Sequence, residues 1–139
     1  IVSFESAFQR HMRRAYTWDL WGAGYVIHGG MSDDGFEYFR RWLISKGRVT
    51  YERALANPED LSDMVAADAE SALEFEMFAY VAGEVWLSKT GGALDAFYKQ
   101  APSTFAGGEP RGQPFDEDEA HLAARYPKLW RRFGDTPLM

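Results

Sequence analysis

Apolar residues recur at three- and four-residue steps along most of this 139-residue chain, the spacing of one helix face. Phe4, Phe8 and Met12 predict an opening amphipathic helix that turns Arg10, Arg13 and Arg14 outward. A second helix, from about Asp19, sets Trp21, Tyr25 and His28 on one face. Gly29-Gly30 stops it, since glycine accepts the left-handed cap conformation. Ser32 reads as the N-cap of a third helix, with Asp33 and Asp34 in its positive first turn. Phe36, Phe39 and Leu43 form the inward stripe of that helix, Trp42 lies beside them, and Lys46-Gly47 closes it.

Val49 to Ala56 predicts a shorter helix that ends at Asn57-Pro58, because proline disfavours helical geometry in the residue before it. Pro58 then opens the next turn, with Leu61, Met64 and Val65 inward. Glu70 to Lys89 predicts the longest helix. Its stretch from Phe75 to Leu87 is apolar nearly all round apart from Glu76 and Glu84, a composition suited to the centre of a bundle. Gly91-Gly92 ends it, and a short turn around Leu94, Phe97 and Tyr98 follows. Ala101 to Pro114 holds three of the six prolines and reads as a surface loop. Asp116 to Ala124 has the acids of a helix start, Tyr126-Pro127 breaks it, and Lys128 to Phe133 packs Leu129, Trp130 and Phe133 back. The β-branched residues are scattered rather than alternating, which argues against strands. The expected fold is all-α: one helical domain over 1–139, a multi-helix orthogonal bundle with a long central helix at 70–90 and a Pro/Gly-rich loop at 101–114.

Composition narrows the function classes. Cysteine is absent, which excludes a disulfide framework and thiolate metal sites and fits a reducing, cytoplasmic setting. No apolar run reaches the length of a membrane span. The net charge of −6 argues against a nucleic-acid binder, which usually carries a basic excess. The chain opens at Ile1 with no signal pattern, and a missing N-terminal segment is expected.

The candidate chemistry gathers at the glycine corner. Asp33 and Asp34 suit a helix start; alternatively, with His28 and Glu37, they line a pocket for a cation or a basic group. His28 reads as a partner of its helix's C-terminal dipole or as an acid–base group. Asp19 reads as a cap of the second helix. Trp18, Trp21, Trp42, Trp86 and Trp130 serve a core, and one or two of them a ligand groove or partner surface. Glu84, if buried, requires a partner such as Arg40 or Arg48; it is then a structural ion pair or a pocket-floor acid. There is no G-x-S-x-G, H-E-x-x-H, P-loop or dinucleotide fingerprint, so neither a cofactor nor a resident metal is expected.

The runs Tyr16 to Ala23, Gly29 to Ile44 and Gly47-Arg48 carry the patterns W-D-L-W-G and S-D-D-G-F-x-Y-F-R. Together with Glu74 to Gly91 and Tyr126-Pro127-Lys128-Leu129-Trp130, they resemble a bacterial family known as domain of unknown function 4240. The resemblance implies a small cytoplasmic protein with a further helical segment upstream of Ile1. It also leads one to expect cysteine where this chain has Met31. It implies no activity, substrate or catalytic residue.

Three readings follow. The first is a non-catalytic binding module that holds a small molecule or protein segment, using Trp18, Asp19, Trp21, His28, Asp33, Asp34, Arg40 and Glu84. In it Asp33 and Asp34 receive a cationic or donor group and Arg40 an anionic one. The second is an enzyme pairing His28 with a carboxylate. The third is an interaction domain built on the basic first helix and the acidic segment near Asp116.

Overall fold

Local capping fixes where the helices begin and end. The computed structural model describes residues 1–65, 81–100 and 108–138. Helix α1 (Val2–Arg14) leads through Thr17 into α2 (Trp18–His28). Thr17 Oγ1 accepts from the Leu20 amide at 3.1 Å and is the N-cap. The expected cap, Asp19, instead lies within the first turn, where its charge faces the positive helix end. Gly29 ends α2 at φ 72 and Gly30 follows at φ 138, so two residues in the left-handed half of backbone space reverse the chain.

Ser32 caps α3 (Asp33–Ser45) by accepting from the Gly35 amide at 3.1 Å. Phe36, Phe39, Trp42 and Leu43 are buried, as their spacing predicts, and Arg40 is buried with them. Gly47 turns the chain into α4 (Arg48–Ala56), and Asn57 starts a 3-10 turn (Pro58–Asp60) that runs into α5 (Leu61–Met64). Beyond the undescribed residues come α6 (Val81–Thr90), α7 (Leu94–Gln100), α8 (Glu119–Arg125) and α9 (Pro127–Phe133). Helix α8 begins later than expected because Asp118, not Asp116, accepts from the His121 amide at 3.1 Å. The architecture is all-α. Among the described residues the extended pairing is a single parallel bridge between Thr17 and Arg111, and no helix is long and apolar enough to cross a membrane.

The core sits around α2. Leu20, Ala23, Val26 and Ile27 are at most 2 % exposed, and Gly22 and Gly24 are buried too. Burying a leucine or isoleucine contributes about 1.5–3 kcal/mol, so this helix is a large part of what holds the bundle. The two glycines let neighbours approach: a Cβ at Gly22 would lie 2.2 Å from Tyr126 Oη, and one at Gly24 2.8 Å from Met31 Sδ. Burial on several sides replaces the single face expected from Trp21, Tyr25 and His28, all of which are half-buried. Of the long helix expected over 70–90, only Val81–Thr90 lies among the described residues, and there Glu84 and Val85 are exposed. In α1 the inward positions are Glu5, Phe8 and Met12, which share a face by helical spacing; Phe4 is 47 % exposed.

Distant side chains finish the helix ends. At the C-terminal end of α1 the Ala15 amide donates to His11 O at 3.0 Å and the Tyr16 amide to Arg13 O at 3.1 Å, and distant side chains supply further partners. Tyr51 Oη donates to His11 O at 2.8 Å, Arg40 Nη1 to Met12 O at 2.7 Å, and Arg111 to Arg13 O and Arg14 O. Two guanidinium groups thus meet the negative end of the helix dipole. Helix α9 has no side-chain cap of its own. Glu59 supplies one from the 3-10 turn, its Oε2 accepting from the Lys128 amide at 2.7 Å and the Leu129 amide at 3.3 Å.

Candidate functional site

Trp18 and Trp21 are three apart on α2, so their rings overlap: the centroids are 5.3 Å apart and the planes within 7°. Trp21 stacks in turn on Phe36 of α3 at 4.9 Å, and Phe36 stacks on Tyr16 at 5.8 Å. The Trp21 indole N–H donates to Met31 O at 3.0 Å, which locks that ring across the glycine corner. The Arg40 guanidinium lies 4.6 Å from the Tyr16 ring centroid and 4.8 Å from that of Phe36. Burial lowers its pKa to about 10, with the charge of Glu37 acting in the opposite sense. Arg40 therefore stays cationic at neutral pH, held by ring faces and by the Met12 carbonyl.

The acids of the corner are drawn to separate partners. Tyr16 has its hydroxyl pKa raised, first by burial and then by the charge of the neighbouring Asp33. Glu37 pairs with Arg41 at 2.7 Å, whereas Asp33 acts on Tyr16. Asp34 is exposed. Asp19 faces the opposite side of α2, where Oδ1 lies 3.3 Å from Tyr126 Oη and 3.6 Å from Arg125 Nη2. His28 is half-buried, with its ring edge-on to Phe39 at 6.5 Å. Glu84 is exposed on α6, and the condition for its pairing with Arg40 or Arg48 does not arise. Of the eight predicted residues, Trp18, Trp21, Asp33 and Arg40 therefore belong to one connected group around Tyr16 and Phe36. Asp19, His28, Asp34 and Glu84 lie outside it.

The concavity beside the glycine corner is on the other flank of α2. A recess of about 270 Å3 is lined by Tyr25, Gly29, Glu117, Glu119, Trp130 and Pro137, among others. The C-terminal strap closes its lower edge: the Leu138 amide donates to Ile27 O at 2.8 Å, and Pro137 occupies the space over Gly29. Tyr25 has its hydroxyl pKa raised, first by burial and then by the charge of the neighbouring Glu117. Phe115 joins the recess to the tryptophan pair, with its ring 5.3 Å from Tyr25, 6.0 Å from Trp18 and 6.4 Å from Trp21. Sequence reasoning missed Tyr25, Glu117, Glu119 and Trp130 as a group. The acidic run at 116–119 is visible in the sequence, yet only the packing of α8 and α9 on α2 carries it to the corner. Among the described residues no three His, Asp or Glu side chains converge as a metal set.

No curated protein and no solved structure matches this chain. The family described as "Protein of unknown function (DUF4240)" matches residues 1–87, which include Trp18 to Arg40 but stop short of Tyr126 to Trp130. With more than half of its length inside that match, the chain belongs to the DUF4240 family.

Proposed function

We propose that this domain is a non-catalytic binding module, and that its ligand seat is the recess beside Gly29, which takes a cationic group. The carrying observation is that Glu117 and Glu119 share one recess with the rings of Tyr25 and Trp130, while its described lining holds no basic side chain. Two carboxylates attract a cation, and an aromatic face adds to that attraction. At about 270 Å3 the recess suits one ammonium or guanidinium head on a short stem, since sites for whole drug-sized ligands run from about 300 to 1,000 Å3. That head belongs to a small amine or to a lysine or arginine side chain of a protein segment. The strip Trp18–Trp21–Phe115 would carry the apolar remainder. Arg40 is only 4 % exposed and already bound to Met12 O, so it is a structural residue in this reading and not an anion contact.

A melting screen over ammonium and guanidinium compounds tests the proposal. A binder raises the midpoint by mass action. The expected result is a concentration-dependent rise with cationic compounds that is lost in the Glu117→Gln/Glu119→Gln variant. A screen in which no cation shifts the midpoint, or in which the variant responds equally, rejects it.

A further inference from the structure

A second cavity, of about 360 Å3, opens between the C-terminal half of α1 and the α3–α4 corner and shares no lining residue with the recess at Gly29. Its wall carries His11, Ile44, Gly47, Arg48, Tyr51 and Glu52. The charges around it do not cancel. Glu52 is held by both terminal nitrogens of Arg14, at 2.7 and 2.6 Å. Arg48 is exposed, acts on Glu52 through its field, and makes no ion pair among the described residues.

His11 brings an imidazole to the same wall. Its ring packs edge-on against Tyr51 at 5.0 Å, and Nδ1 is shut off from solvent with no hydrogen-bond partner among the described residues. Buried ring nitrogens normally have partners; Nδ1 meets neither a partner nor solvent, so a contact from the cavity falls on the rest of the ring, which lines the wall. The backbone contributes in the same sense. Gly47 offers no side-chain cap to α4, and the first turn of that helix holds no acid to oppose an incoming anion. All six lining residues lie within the family match, whereas most of the wall at the Gly29 recess comes from beyond it.

We infer that this cavity is a seat for a small-molecule oxyanion, a carboxylate or a phosphate group, with Arg48 as its principal contact and the His11 imidazole as its second. It is independent of the cation seat, because the two use opposite charges and different residues.

Amide NMR titrations with inorganic phosphate and with acetate, against chloride at matched ionic strength, provide the test. Saturable shifts confined to residues 11 and 47–52 are expected with one or both oxyanions, and the arm that saturates tells phosphate from carboxylate. Arg48→Met, an exposed change that leaves the core intact, should weaken binding about tenfold, as expected for loss of a charge-assisted contact. Arg131→Met, exposed on α9, should leave it unchanged. Glu52→Gln should tighten binding by removing the one carboxylate of the wall. Shifts no larger than those with chloride, an unaltered affinity in Arg48→Met, or weaker binding in Glu52→Gln each overturn the inference.

Discussion

The Tyr126 hydroxyl donates to the Asp19 carbonyl at 2.8 Å, and its ring occupies the space that any side chain at Gly22 would need. Helix α9 thereby keys onto α2 through one buried tyrosine and one missing methyl group. Gly22→Ala would place a Cβ 2.2 Å from Tyr126 Oη, and overpacking of this kind costs about 1–3 kcal/mol. Tyr126→Phe alone should cost about 0.5–1.5 kcal/mol for the lost hydrogen bond. Because the hydroxyl is the nearest clashing atom, the double variant should be less destabilised than the sum of the two. Urea unfolding of the three variants checks this, and strict additivity would show that the two residues do not interlock.

Arg40 should behave as a capping residue of α1. Arg40→Met leaves the Met12 carbonyl unpaired in the interior and is expected to destabilise the fold by about 1–3 kcal/mol. Arg40→Lys should not restore stability, since an ammonium lacks the planar group that lies against Tyr16 and Phe36. Thermal melts of both variants are the measurement; a lysine variant as stable as the parent would contradict this role.

Glu5 is 1 % exposed, and burial raises its pKa above 4.5, against the opposing effects of its hydrogen bond from Gln9 at 2.9 Å and of the charge of Arg41. The folded state therefore holds this proton more tightly than the unfolded state does. Its contribution to stability is complete below the ordinary carboxyl range and is lost as pH rises through the folded pKa. Glu5→Gln replaces the carboxyl group with a neutral amide of the same shape and removes that loss. The variant should equal or exceed the parent in stability at about pH 7, with its advantage shrinking towards about pH 4. Denaturation at both values decides it; a variant less stable only at neutral pH would reverse the sign.

The sequence carried the local devices well. Ser32 as a cap, Gly29 as a stop and the Phe36–Phe39–Leu43 stripe depend on neighbours within one or two turns, and they stand where the spacing puts them. Asp19 suits a cap by sequence, but Thr17, two positions earlier, carries an equally suitable oxygen and takes that role, and the Asp19 carboxylate is used against Tyr126 and Arg125 instead. The corner was legible only in part. Trp18, Trp21 and Arg40 do connect, through Phe36 and Tyr16. The acids beside the recess, Glu117 and Glu119, are far from Tyr25 in sequence, and no helical period relates them. Gly22 and Gly24 carry a legible signal of their own: two glycines inside a helix mark close packing on that side.

The most direct test of the cation seat compares tetramethylammonium with tert-butanol, a neutral molecule of similar shape, by NMR on the Trp130 indole and the Tyr25 ring. Saturable shifts at both rings with the cation alone, weakened in Glu117→Gln/Glu119→Gln and by added salt, are predicted. Equal responses to both compounds, or shifts that bypass Tyr25 and Trp130, would contradict the account.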